Sequence, residues 1–120
     1  MAVTERERKV QERTMRLVRK YEGYVYKNAQ GMYTEKGRPD LTACIPTTLG
    51  KLMEIYKGDL DAPIGLFVGL EIKRDGHLGE VSEAQEVVGR IIKKANGLWF
   101  AVDNTDLVEA LLIKFTGEVK

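Results

Sequence analysis

The stretch Gly65-Leu-Phe-Val-Gly-Leu-Glu-Ile-Lys73 constrains the fold more than any other. Phe67, Val68, Leu70 and Ile72 form an apolar run too short for a good helix and rich in β-formers, which predicts a buried strand over 65–73. Glu71 and Lys73 sit inside its charged end. Residues two apart in a strand point to the same face, so a carboxylate and an ammonium project side by side from a core strand. Buried charges are costly unless they are paired or bind a metal. The pair is therefore either a structural ion pair or a working site.

A second such place lies upstream. Gly37-Arg-Pro-Asp40 is followed by the short apolar run Leu41 to Ile45. Gly and Pro mark a turn, and Pro39 holds the chain extended before the strand begins. Asp40 is thus expected at the mouth of a neighbouring strand.

The remaining elements follow in order. Thr4 caps a helix over 5–21, with Glu7 available for a capping box. Val3, Val10, Thr14, Leu17, Val18 and Tyr21 share its apolar face; Glu7 and Gln11 flank that face and Glu12 points away. Gly23 ends the helix, and Tyr24 to Lys27 is the first strand, followed by a polar loop over 28–37. The connection 46–65 carries Leu49, Leu52, Met53 and Tyr56 at helical spacing, a short amphipathic helix; its Asp59 and Asp61 read as solvated loop residues. Ser82-Glu-Ala-Gln85 is a capping box opening a helix whose apolar face is Ala84, Val87, Val88, Ile91, Ile92 and Ala95. Gly97 stops it. Leu98 to Val102 is the fourth strand. A last helix, capped by Asn104 or Thr105, runs to about Phe115 with Leu107, Val108, Leu111 and Leu112 buried. The order αβββαβα predicts an α/β fold: one central mixed four-stranded sheet flanked by helices.

With 120 residues, one domain over 1–120 is expected. A net charge of +1 announces no bulk attraction to nucleic acid, so any such binding needs local clusters. Lysines and arginines of the first helix and the turns supply them. The lone Cys44 excludes an internal disulfide and reads as a small buried residue. His77, the only histidine, reads as a mobile loop residue. No signal peptide or membrane span is visible, which leads to the expectation of a soluble, cytoplasmic protein with no membrane partner.

Pro39-Asp40 with Glu71-Ile72-Lys73 resembles the PD-(D/E)XK nuclease signature. The wider set adds Gly37 before Pro-Asp and Ser82-x-x-Gln85 after the lysine. It resembles the virus-type replication-repair nuclease (VRR-NUC) family over roughly Glu7 to Leu112. The resemblance implies a restriction-endonuclease-like core and a metal-dependent endonuclease of DNA replication or repair, encoded in a phage or bacterium. It further implies Mg²⁺ or Mn²⁺ held by Asp40, Glu71 and the backbone carbonyl of Ile72, with Glu7 helping to place a second ion. Lys73 orients water or stabilises the anionic transition state, and Gln85 lies beside the active site. Small family members resemble Holliday-junction resolvases, which implies branched DNA as substrate and a homodimer. Compact members have a tight hairpin where this chain has 46–65.

Several readings stay open at this level. Glu7 fits the family's first-helix glutamate and the helical phase, with Glu12 as the alternative by its spacing to Gly23. Gln85 either closes its helix or serves the site, or both. Lys27, Lys36, Arg38 and Arg74 are either phosphate contacts or ordinary exposed cations. Two other functions remain: a catalytically silent nucleic-acid-binding or assembly protein on the same fold, and a nuclease of flap or single-stranded substrates.

Overall fold

The computed structural model describes residues 4–29 and 36–120. Val3 and the 30–35 part of the loop after the first strand lie outside them. Helix α1 (Glu5–Lys20) begins where Thr4 Oγ1 accepts the Glu7 N–H at 3.1 Å. Glu5 and Glu7 in its first turn and Arg19 and Lys20 in its last complement the helix dipole. Strands β1 (Tyr24–Lys27) and β2 (Leu41–Cys44) pair antiparallel, with Tyr24 opposite Cys44 and Lys27 opposite Leu41. Helix α2 (Leu49–Ile55), capped by Thr48, fills the long connection. Strand β3 (Val68–Ile72) pairs in parallel with β4 (Leu98–Val102), and α3 (Glu83–Lys94) makes the crossover between them. A 3₁₀ turn (Leu78–Glu80) precedes α3, and α4 (Thr105–Thr116) follows β4 with Asn104 as its cap.

Helices mixed with strands are thus as expected, but the sheet is not the single four-stranded one. β1 pairs only with β2, and β3 only with β4, giving two two-stranded sheets among the described residues. The connection over 45–67 explains the difference. A tight hairpin fixes the register of the strands it joins; here a helix intervenes and no turn imposes β2 on β3. Beside the first sheet the Tyr24 ring stands edge-on to Phe67, the residue before β3, with 6.1 Å between centroids.

Burial corrects a second expectation. Among the described residues the buried apolar side chains are Val25, Cys44, Ile92, Ala95 and Val102. Val68, Leu70 and Ile72 point outward, with Ile72 63% exposed. The face of β3 that meets α3 is the alternate one, Gly69, Glu71 and Lys73, all partly covered. In α1, Val10, Leu17 and Tyr21 are exposed, and in α4 so are Leu107 and Leu112, while Val108 and Leu111 are half-buried. On α3, only Ile92 and the capping Ala95 of the expected apolar face are fully buried; Val87, Val88 and Ile91 remain exposed.

Gly23 and Gly97 do follow their helices, for a reason other than backbone handedness. The left-handed positions belong to Glu22 and Asn96, each at φ 67°. A Cβ on Gly23 would lie 2.8 Å from the Cys44 carbonyl oxygen, and one on Gly97 would lie 3.0 Å from Cys44 Sγ. Both glycines let a helix end close on β2 at Cys44. That thiol is 6% exposed and donates to the Ala95 carbonyl at 3.6 Å.

Burial pushes the Cys44 thiol above its ordinary value of 9.0. Its stabilisation is therefore full below the unfolded value and lost as pH rises through the folded one, because the unfolded chain ionises first. Alkylation by iodoacetamide at pH 8 is expected to be slow in the native protein and fast in denaturant. Equal rates would show that this contact does not form.

No helix among the described residues is long and apolar enough to cross a membrane.

Candidate active site

The N-terminus of α3 closes on the C-terminal end of β3. Ser82 and Gln85 form a reciprocal capping box: Gln85 N–H donates to Ser82 Oγ at 3.1 Å, and Ser82 N–H donates to Gln85 Oε1 at 2.9 Å. The same Gln85 side chain donates from Nε2 to Glu71 Oε2 at 3.1 Å. Gln85 thus closes its helix and also touches the carboxylate of the neighbouring strand. Lys73 Nζ stands 3.9 Å from Glu71 Oε2, with the side chains 17% and 26% exposed respectively. That separation is an ion pair but not a hydrogen bond. It leaves the ammonium's three protons available to other acceptors.

Asp40 is held from a different direction. Asn28 N–H donates to the Asp40 carbonyl at 2.9 Å. Its side-chain Nδ2 donates to the Pro39 carbonyl and to Thr42 Oγ1, both at 2.8 Å, while its Oδ1 accepts from Arg38 Nη2 at 3.0 Å. Asn28 is the one buried polar side chain among the described residues, and it pins the whole Pro-Asp turn. By sequence it belongs to the polar loop over 28–37. The available signal was an asparagine at a strand end, a residue type suited to bonding turn backbone; only the β1–β2 register places it against Pro39. Asn28→Ala is expected to cost about 1–3 kcal/mol in urea unfolding, because its part-buried side-chain hydrogen bonds with Pro39, Thr42 and Arg38 are lost. An unchanged midpoint would remove Asn28 from this role.

Asp40 lines an open cleft of about 330 Å³ with Arg6, Glu7, Val10 and Gln11. Glu7, not Glu12, shares this cleft, in agreement with the helical phase. The structure thus gathers the expected residues in two groups, Glu71 with Lys73 and Gln85, and Glu7 with Asp40. Among the described residues no three acidic, histidine or cysteine side chains converge. Asp40 immediately precedes β2 and Glu71 lies near the end of β3, and these two strands do not pair.

The cations divide similarly. Lys27 and Lys36 are exposed. Arg38 is exposed but braces Asn28, so it has a structural task. Arg74 lies 3.7 Å from Glu80, whose Oε1 also meets His77 Nδ1 at 2.7 Å. His77, expected to be mobile, is held across the 3₁₀ turn. Asp59 Oδ1 accepts the Asp61 N–H at 2.9 Å, a local turn consistent with solvated loop residues.

No family model matches the chain, and no curated protein or solved structure matches it.

Proposed function

We propose that this chain is a metal-dependent, structure-specific DNA endonuclease of the VRR-NUC type, built on a restriction-endonuclease-like core. The reading has it acting as a homodimer on branched DNA, inside a bacterial or phage-infected cell. The observation that carries it is the contact from Gln85 to Glu71 beside Lys73. A glutamine that only capped its helix would have no need to reach a carboxylate on a different element.

The donor chemistry fits a hard divalent cation, which takes one or two carboxylates and keeps several waters. Two carboxylates, Glu7 and Asp40, already face one cleft. The resemblance assigns Mg²⁺ or Mn²⁺ to Asp40, Glu71, Glu7 and the Ile72 carbonyl; here Glu7 and Asp40 share one cleft and Glu71 stands in a separate group, so one ion would be held by all of them only if the two groups closed together. Bound there, the ion supplies Lewis acidity toward the phosphate and a more acidic water. Gln85 fixes the Glu71 carboxylate, and Lys73 presents its ammonium to the phosphate oxygen where negative charge develops. Lys27, Lys36 and Arg74 contribute phosphate contacts, with affinity that falls as salt rises.

The test is cleavage of labelled four-way junction, flap and linear duplex DNA with Mg²⁺, Mn²⁺ or chelator. Metal-dependent nicking of the junction is the expected result. Preference for flap or single-stranded DNA would keep the chemistry and change the substrate. Binding without cleavage under any metal would favour the silent binding protein, a reading to which the split between Asp40 and Glu71 gives weight. In the same assay Glu7→Gln is expected to reduce cleavage at least tenfold and Glu12→Gln to leave it unchanged. Equal, wild-type rates would take α1 out of the mechanism.

A further inference from the structure

The accessible surface of the chain is 9934 Å². A folded monomer of 13.5 kDa is expected to expose roughly 6,500 Å². Its radius of gyration is 17.1 Å, where roughly 13.6 Å is expected for this length. The excess surface, roughly 3,400 Å² over the whole chain, leaves room for the roughly 1,000–2,500 Å² that each subunit of an obligate dimer buries, which would cover part of it.

Two apolar surfaces stand out in it. The first is the outer face of β3, Val68, Leu70 and Ile72. The second is the arm over 46–66. Its α2 packs extensively on none of the other elements. Leu49 and Leu60 are 80% and 85% exposed, and Ile64 and Leu66 are also bare. Between α2 and the chain that follows it, Leu52, Met53, Tyr56 and Ile64 help line an apolar cleft of about 130 Å³. That volume suits an inserted aliphatic side chain.

We infer that these two surfaces are the complementary halves of one isologous interface: the 46–66 arm of one copy covers the outer β3 face of a second copy, and the reverse. In a two-fold pair, a contact from arm to strand is made twice, so one chain need carry only one donor and one acceptor surface. The size of the uncovered area selects a second copy over a small ligand. The placement connects assembly to the site, because Val68, Leu70 and Ile72 alternate with Glu71 and Lys73 on the same strand. Covering one face fixes the other.

The inference rests on the two-copy part of the function proposed above, and its experiment contains no cleavage step, so the nuclease chemistry stands or falls separately. The full chain is examined by light scattering and sedimentation equilibrium as wild type, Leu60→Asp, Ile72→Asp and, as a control on α4, Leu112→Asp. The expected result is a wild-type dimer, at least tenfold weaker association for Leu60→Asp and Ile72→Asp, and no change for Leu112→Asp. Because Ile72→Asp can also unfold β3, a second measurement uses milder changes. Leu60→Cys and Ile72→Cys proteins are mixed and oxidised, with buried Cys44 as a silent background. A crosslink between the two variants in excess of either self-pair supports the interface. A wild-type monomer overturns the interface and the two-copy reading together. A dimer that survives both aspartates, or crosslinks only as self-pairs, overturns the interface alone.

Discussion

Lys73→Ala is expected to lower DNA cleavage by about 100-fold or more while leaving the unfolding midpoint nearly unchanged. In the proposed function Lys73 is a preorganised cation aimed at developing charge, and losing such a group commonly costs two to three orders of magnitude. The small stability effect follows from the geometry. Glu71 keeps its hydrogen bond from Gln85, and the lost ion pair is long and partly solvated. Lys73→Arg should rescue charge but not position, because a planar guanidinium cannot replace a compact ammonium at one point. Wild-type cleavage by purified Lys73→Ala protein would sink the site assignment. A large loss of stability without loss of specific activity would mean that the pair is only structural.

Gly89→Ala should destabilise the fold by about 1–3 kcal/mol, the reverse of the usual sign. A glycine inside a helix ordinarily costs about 1 kcal/mol relative to alanine, so the change should help. Here a Cβ would sit 2.7 Å from Trp99 Cδ2 and 2.9 Å from two further ring atoms. The indole lies flat against the helix backbone, with Lys93 Nζ 5.5 Å from the ring centroid. The bicyclic ring yields either by leaving its rotamer or by moving β4 off α3, and both are typical overpacking costs. Trp99 is the only tryptophan in the chain, so its fluorescence in urea titrations reads the displacement directly. A raised midpoint for Gly89→Ala would show that the indole does not rest on this helix.

Much of this arrangement is legible in the residues alone. The caps at Thr4, Ser82 and Asn104 and the positions of β1, β2 and β4 follow from local hydrogen-bonding chemistry and short-range periodicity. So does the burial of Cys44. The juxtaposition of Glu71 and Lys73 follows from the two-residue repeat of a strand, which holds whatever covers it. Helical phase puts Glu7 on the flank of the apolar face of α1 and Glu12 away from it, and Glu7 shares a cleft with Asp40.

Other features depend on contacts distant in sequence. An apolar run says that a strand wants cover, not which face receives it. On β3 the face carrying Glu71 and Lys73 turned toward α3, and Val68, Leu70 and Ile72 turned out. Gln85 reads as a cap because its local partners suffice; its second partner, Glu71, comes only from the crossover geometry. Asn28 looked like loop until the antiparallel register set it beneath Pro39. Whether four strands form one sheet was likewise beyond local pattern, because the joining segment 45–67 does not dictate register. The sequence by itself determined the elements, their caps and the chemical character of the candidate site, since these depend on residues a few positions apart. The tertiary structure alone decided which strand faces are covered, which acids share a cleft and which apolar surfaces stay open. Those outcomes depend on how whole elements dock, and docking energy is summed over contacts that no short window contains.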